Sequence, residues 1–527
     1  MKVILLILDG WGYSPKKAGN AILQANLPTL TFLEANYPFA LLKASGIAVG
    51  LPWGEAGNSE VGHLTLGSGR VMLQAMPRII KSIQDGSFFT NPALQKAVQN
   101  AKAHHSQIHF MGLIGTGSVH SYIDHLYGLL DLAKRYGVSS QVRLHLFTDG
   151  KDSPPREGAK IAAHIKMRLE ERGEGQIATL VGRDFAMDRD YNWQRTEQAF
   201  NLLVKGEGQK TSDEVKAIEA YYEKGLTDSE IPPTLLTRED GIPRGIISPH
   251  DSVVFFNYRE DSARQLTKAF TLPQRVGFRP EVPAPLLFVT MTEYDKDFPS
   301  EVAFKPIPIS HSLAQVLFEH EKTQFHAGET QKYAHVTYFF NGMREEKHEG
   351  EEWQLIPSFD TQDLVSQTEL RTPEITHALV KALEEESYDF LVANFANPDL
   401  LAHTGNLAAT LKGCEAVDRA VKEIYETMTR LDAGQGKITL LISSDHGHAE
   451  TMIDPVSGLV LTEHTANDVP FYLIDPRLKK EKSPLEILLS KREPIGMLAD
   501  IAPTILELFG IPPPIEMTGK SLLNRMR

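Results

Sequence analysis

Short apolar runs of strand length recur along this chain, each followed by a turn and a helical pattern, and this alternation constrains the fold most. VILLIL (3–8) comes first. IHFMGLIG (108–115) precedes residues 121–136, where Leu126, Leu129, Leu130 and Ala133 fall at helical spacing. VRLHLFTDG (142–150), IATLVG (177–182), SVVFFNY (252–258), FLVANFA (390–396) and ITLLISSDHG (438–447) repeat the plan. Strands alternating with helices predict an α/β fold built on parallel sheets. The 527 residues suffice for two to four domains. A Gly-rich region ends near Met76-Pro77 and residues 273–310 are rich in proline. The stretch between can be an insertion interrupting an outer domain.

Polar clusters sit just after these runs: Asp9, then Asp149 with Asp152, Arg259, Asp399, and Asp445 with His446. Open α/β sheets bind ligands beyond the carboxyl ends of their strands. Lys plus Arg number 54 and Asp plus Glu 68, a net charge of −14 that counts against nucleic acid as a partner. An anionic small substrate is still compatible, because local arginines outweigh a diffuse negative field at short range. With one cysteine, Cys414, neither an intrachain disulfide nor a thiolate metal cluster can form. The apolar run at Val3–Leu8 is too short for a signal-peptide core, and no later run approaches the roughly 18 residues of a membrane helix. The expected location is the cytoplasm, with no membrane partner.

NPDLLAH (397–403), SSDHGHAE (443–450) and EHT (463–465) supply Asp399, His403, Asp445, His446 and His464. Aspartate and neutral imidazole ligate borderline divalent metals such as manganese or zinc. Asp399 and His403 are four apart, so a helical turn brings them together. Adjacent side chains diverge, so Asp445 and His446 serve either two metals or one metal from a tight turn. Near the N-terminus, Asp9 is a further candidate ligand, and Ser59 lies in the glycine-flanked GEAGNSEVGH (54–63). Such a loop lets backbone N–H groups approach a phosphate, and a metal can activate its serine; the plain alternative is a surface turn. The middle segment carries Lys151, Arg183, Arg189, Arg259 and Arg264 near strand ends. Guanidinium groups bind phosphate and carboxylate in a bidentate manner, or are solvated surface charge. His120 ends another strand, and Lys332 precedes a strand-like VTYFF (336–340).

Together these strings resemble the cofactor-independent phosphoglycerate mutases of the alkaline phosphatase superfamily. GNSEVGH, DGWG, VHS, MDRD, KYAHVT, NPDLLAH, SSDHGHAE and EMTGKSL occur in the family's order along essentially the whole chain. The resemblance implies an α/β fold with a discontinuous alkaline-phosphatase-like domain, residues 1–74 plus 310–527, holding two divalent metals, manganese above all. A second α/β domain, residues 75–309, is inserted and closes over the substrate. Ser59 is implied as the nucleophile that becomes phosphoserine. Asp9, Ser59, Asp445 and His446 are implied as ligands of one metal, and Asp399, His403 and His464 of the other. His120, Lys151, Asp152, Arg183, Arg189, Arg259 and Lys332 fall where the family binds substrate, with Asp152 the candidate proton shuttle and Lys332 a cation on the transferring group. The implied reaction interconverts 3- and 2-phosphoglycerate without added 2,3-bisphosphoglycerate, and a monomer is expected. Two positions depart from the family: Lys151 stands where it has arginine, and Ser262 where it has a second arginine three residues after Arg259. If residues 259–264 are helical, Arg264 faces away from Ser262 and does not replace it. The rival readings are a phosphatase or other phosphomutase of the superfamily and a silent binding protein.

Overall fold

From Val3 onward every side chain of the Lys2–Leu8 strand is buried, and its two faces enter different cores. Ile4, Leu6 and Leu8 pack into one apolar cluster, and Val3, Leu5 and Ile7 into another. Successive strand side chains point to opposite faces. A strand covered on both sides is therefore apolar at every position, which is why VILLIL does not alternate. Ile108–Ile114 follows the same logic: Ile108, Phe110 and Ile114 face one core, Met111 and Leu113 the other.

The computed structural model describes residues 1–359, 363–385, 387–454 and 456–526. The chain divides into two compact units, Met1–Gln74 with Pro308–Arg527, and Ala75–Ile307. Each is a mixed α/β unit built on its own eight-stranded sheet. In the first, four adjacent strands run parallel in the order Gln324–Glu329, Phe390–Phe395, Lys2–Leu8, Ile438–Ser443. In the second, Ser252–Phe255, Ile108–Ile114, Val142–Thr148 and Gln176–Gly182 do the same. The carboxyl ends of each quartet therefore share one sheet edge.

The sheets are not purely parallel. Val469–Ile474 pairs antiparallel with both its neighbours, and Thr234–Leu236 runs antiparallel to Gln176–Gly182. The proline-rich stretch 273–310 contributes two strands, Leu287–Thr292 and Glu301–Phe304, to the edge of the second sheet. Outer strands differ: Gln209–Thr211 is largely exposed, Glu351–Ile356 buries only its two end residues, and neither carries an apolar run, so the pattern that marks the central strands does not mark them. VTYFF is not a strand: the Thr330–Ala334 helix continues into a π-helical turn over His335–Phe339. Val336 and Phe340, four apart, are both fully buried, a helical spacing that packing enforces over the β propensity of the residues between. Residues 259–263 are likewise not helical; the helix begins at Arg264. Among the described residues no helix is long and apolar enough to cross a membrane.

The second unit buries a hydrogen-bonded chain of polar groups. His109 Nε2 donates to Asp251 Oδ2 at 2.9 Å, His145 Nε2 to His109 Nδ1 at 2.8 Å, and the Thr179 hydroxyl to His145 Nδ1 at 2.9 Å. This order of donors satisfies both imidazoles in the neutral state. Burial pushes both histidines below the ordinary value, for His109 against the opposing pull of Asp251. Burial also pushes His125 down to about 3. These groups stay neutral when folded and take up protons when unfolded, so their stabilising effect is complete above the ordinary histidine pKa of about 6.5 and lost as pH falls below it. The thermal midpoint should therefore drop progressively on acidification from about pH 6.5. His125→Gln, which has no proton to gain, should make the drop shallower; an unchanged slope in a calorimetric pH series would show that His125 does not contribute.

Candidate active site

The register of the first sheet pairs Ile7 with Asn394 on one side and Ser443 on the other. Two residues further on, Asp9 and Asp445 come level beyond the sheet edge. Asp399 lies in the Asn397–Ala402 helix that follows Phe390–Phe395, and Lys332 in the helix after Gln324–Glu329. Ser59 opens the Ser59–Ser68 helix, whose first turn is capped by the Asn58 side chain accepting from the Val61 N–H. Gly62 lets this helix lie on the loop at Asp445, since a Cβ there would sit 2.5 Å from the Asp445 carbonyl oxygen. Gly10, at φ +70°, turns the chain where a Cβ would meet the Asp399 backbone at 2.9 Å.

These residues converge in one buried cluster. Lys332 Nζ donates to Asp9 Oδ1 at 2.8 Å, to Ser59 Oγ at 2.7 Å and to Asp399 Oδ2 at 2.7 Å. Ser59 Oγ is 3.0 Å from His446 Nε2 and 3.3 Å from Asp9 Oδ1. His446 Nε2 also lies 3.4 Å from Asp445 Oδ2. The other oxygen of Asp9 accepts from Asn394 at 2.6 Å. Asp9, Asp399 and Asp445 are each at most 1% exposed. Three carboxylates thus surround a single ammonium where water cannot screen them. For Lys332, burial works against the charge, but Asp9 and Asp399 overcome it and hold the ammonium protonated. Burial and the neighbouring Asp445 raise Asp9. Burial opposes the charge on Asp399 as well, yet Lys332 and its imidazole partners keep it well below the usual carboxylate range.

The donor set fits divalent metals. Asp445 Oδ2 is buried without a hydrogen-bond partner among the described residues. His403 Nδ1 donates to the Thr462 carbonyl and His464 Nδ1 to the Gly57 carbonyl, each at 2.9 Å, which fixes both tautomers. In the neutral rings both Nε2 atoms then carry lone pairs, and these face each other at 3.1 Å. Burial opposes a charge on His464 but Asp399 raises it, so either a proton on His464 or a metal cation resolves that repulsion. Potential ligand atoms fall into overlapping groups: Asp399, His403, His448 and His464; Asp9, Asp399 and His446; Asp9, His63 and Asp445. The structure brings together every metal-ligand candidate read from the sequence and adds His63 and His448. His63 donates from Nδ1 to the Ser59 carbonyl at 2.8 Å and sits 3.3 Å from Asp445 Oδ2. Both additions lie inside the strings GNSEVGH and SSDHGHAE, so spacing could have raised them; only the packing shows where they point.

The remaining candidates gather at the equivalent edge of the second sheet, around a cavity of about 390 Å³ lined by His120, Lys151, Asp152, Arg183, Arg189 and Arg259 among others. Arg183 Nη1 bonds Asp149 Oδ1 at 2.5 Å and Asp152 Oδ2 at 2.9 Å. Burial resists the charge on Asp149, but Arg183 and Ser153 keep its carboxyl below the usual range. Asp261 ties Arg189 at 2.8 Å and Arg259 at 3.2 Å, and its other oxygen lies 3.4 Å from His120 Nδ1. Burial and Arg183 lower His120 against the pull of Asp261 and Asp152, which favours the neutral imidazole. Lys151 is held by Asp184. Ser262 lines the cavity and brings no charge; Arg264 is turned to the Tyr294 carbonyl at 2.7 Å and to Glu260. Arg195, unremarked in the sequence, also lines the cavity, and its guanidinium has no ion-pair partner among the described residues.

A family model described as the BPG-independent PGAM N-terminus matches residues 79–296. A 2,3-bisphosphoglycerate-independent phosphoglycerate mutase of Thermosynechococcus vestitus is 45% identical over 99% of this chain and 95% of its own. The chain belongs to the 2,3-bisphosphoglycerate-independent phosphoglycerate mutases. A member of the family from Clostridium perfringens is 44% identical, covering 99% of each chain. The crystal structure of Leishmania mexicana phosphoglycerate mutase at low cobalt concentration superposes with a TM-score of 0.60 at 28% identity, over 98% of this chain and 97% of that one.

The buried charge balance makes a prediction about stability. Lys332→Met leaves the carboxylates of Asp9 and Asp399 without their ammonium. Breaking a buried ion pair from one side costs about 3–5 kcal/mol. The variant should therefore unfold at clearly lower denaturant than the parent when both are stripped of metal. Equal midpoints in chelator would show that the carboxylates are protonated or solvated in the metal-free state.

Proposed function

We propose that Ser59 is the phosphoryl-accepting nucleophile of this mutase and that the buried carboxylate–imidazole cluster around it holds two divalent metal ions. As a member of its family the chain is an isomerase that interconverts 3-phosphoglycerate and 2-phosphoglycerate. The observation that carries the reading is the contact set of Ser59 Oγ: an ammonium at 2.7 Å, an imidazole at 3.0 Å and a carboxylate at 3.3 Å, all buried.

Asp9, Ser59, Asp445 and His446 would hold one ion and Asp399, His403 and His464 the other, with manganese the metal the resemblance implies. Such ions, when bound, lower the pKa of a coordinated hydroxyl and neutralise phosphoryl oxygens. Phosphoryl transfer otherwise needs positioning and charge more than acid–base help. Deprotonated Ser59 Oγ attacks the phosphorus of 3-phosphoglycerate, the bond to the 3-oxygen breaks, and that oxygen takes a proton from Asp152. Lys332, held protonated by Asp9 and Asp399, faces the transferring group. The free glycerate must then offer its 2-hydroxyl. His120, Lys151, Arg183, Arg189 and Arg259 bind it, and Asp152, paired to Arg183 at 2.9 Å, carries the proton between the two hydroxyls. The 2-oxygen attacks the phosphoserine, and Ser59 is released. We place the enzyme in the cytoplasm, acting as a monomer on these small anions.

Ser59→Ala should abolish mutase turnover while leaving the thermal midpoint close to the parent's. Exhaustive chelation should stop the parent enzyme, manganese should restore it, and added 2,3-bisphosphoglycerate should not be needed. A coupled assay for 2-phosphoglycerate reads all of these. Full activity after chelation, or turnover by the alanine variant, would refute the reading; release of inorganic phosphate instead of 2-phosphoglycerate would point to a phosphatase.

The cavity geometry bears on the arginine missing at Ser262. Because Arg264 is committed to Glu260 and Tyr294, Arg264→Ala should leave the KM for 3-phosphoglycerate nearly unchanged. Arg195 is the uncommitted guanidinium at the same cavity, and a charge-assisted hydrogen bond is worth about 1.5–3 kcal/mol. Arg195→Ala should raise KM by roughly tenfold or more. The reverse ranking of the two variants would show that Arg264 has taken over the role.

A further inference from the structure

Three imidazoles and a carboxylate meet at one corner of the buried cluster. Asp399 Oδ1 is their common point, with His448 Nδ1 at 2.8 Å, His464 Nε2 at 3.2 Å and His403 Nε2 at 3.5 Å. His403 Nε2 and His464 Nε2 are 3.1 Å apart, and ligand atoms of all four residues lie within 4.8 Å of one another. A tetrahedral ion with bonds of about 2.0–2.1 Å keeps its ligand atoms about 3.3–3.4 Å apart. The observed separations bracket that value. His448 is fully buried, and its Nε2 has no hydrogen-bond partner among the described residues. Its placement is enforced: the His448 N–H and the Gly12 N–H both donate to Glu450 Oε2, at 2.8 and 3.0 Å, which clamps the loop. The ring packs against His403 and His464 with centroids 4.4 and 5.0 Å away.

We propose that His448 is a fourth protein ligand of the ion held by Asp399, His403 and His464, and that this site therefore prefers zinc to manganese. The inference rests on the metal-dependent reading above and extends its ligand set. Coordination is through Nδ1, with the ring proton moved to Nε2, so the imidazole stays neutral. Three imidazoles and one carboxylate in a tetrahedral arrangement suit zinc, whereas manganese favours oxygen donors in six-coordinate geometry.

His448→Asn is the informative variant. An asparagine amide can still donate a hydrogen bond to Asp399, but it is a poor zinc ligand. Parent and variant are stripped of metal, checked for equal circular dichroism, and titrated with zinc and with manganese against a chromogenic chelator. The expected result is two zinc ions on the parent, one of them weakened in the variant by more than about 100-fold. That is beyond the roughly 10–100-fold that losing a hydrogen bond to a ligand costs. The zinc-over-manganese preference of that ion should shrink in parallel. X-ray absorption on the zinc-loaded parent needs no variant and should count four imidazoles over the two ions, from His403, His446, His448 and His464. Two bound ions with three imidazoles, or an asparagine variant with unchanged affinity and preference, would overturn the proposal and leave His448 as a hydrogen-bond partner of Asp399. A parent that binds no zinc or manganese would overturn the metal-dependent reading itself.

Discussion

The structure depends on an imbalance of buried charge. Asp9, Asp399 and Asp445 are packed around one ammonium, Lys332, in a region with almost no solvent exposure. Such a cluster is expensive to form, because ionised carboxylates lose their hydration and regain only part of it from a single lysine. The surrounding fold is arranged to sustain it. Asn394 spans Asp9 and His63 with its two N–H groups, and Asp445 Oδ1 takes backbone N–H groups from Gly10 and His446. What remains uncompensated is a surplus of negative charge facing oriented imidazole lone pairs, and a divalent cation answers both.

The two units solve similar problems with the same architecture. Each aligns four parallel strands so that the loops after them end at one sheet edge. In the first, those loops bring carboxylates and imidazoles to a serine; in the second, they bring arginines to a polar cavity. The second edge is neutralised differently. Asp149, Asp152 and Asp261 each hold a guanidinium in place, so the arginines are pre-positioned while retaining further N–H groups for an anion.

Much of this was legible from residue types. Asp9, Asp399, Asp445 and His446 follow apolar runs, and the structure brings all four together beyond the ends of parallel strands. The illegible parts have physical causes. VTYFF carries strand-forming residues, but Val336 and Phe340 are both drawn into the core at helical spacing. Outer strands lack the two-sided burial that produces continuous apolar runs. His448 lies in a string already singled out and Asp261 beside Arg259 and Ser262, yet neighbouring residues do not reveal which side chain turns inward. Arg195 sits on the Trp193–Lys205 helix, outside every strand end.

The amino-acid sequence by itself determined the fold class, the central strands and the residue types of the chemistry, because two-sided burial and strand-end placement leave local marks. The tertiary structure decided the rest: that Lys332 lies between Asp9 and Asp399, residues 323 and 67 positions away along the chain, and that His448 joins His403 and His464. Those contacts follow from strand order and register. Both are set by the packing of whole sheets, and no short window of sequence records them.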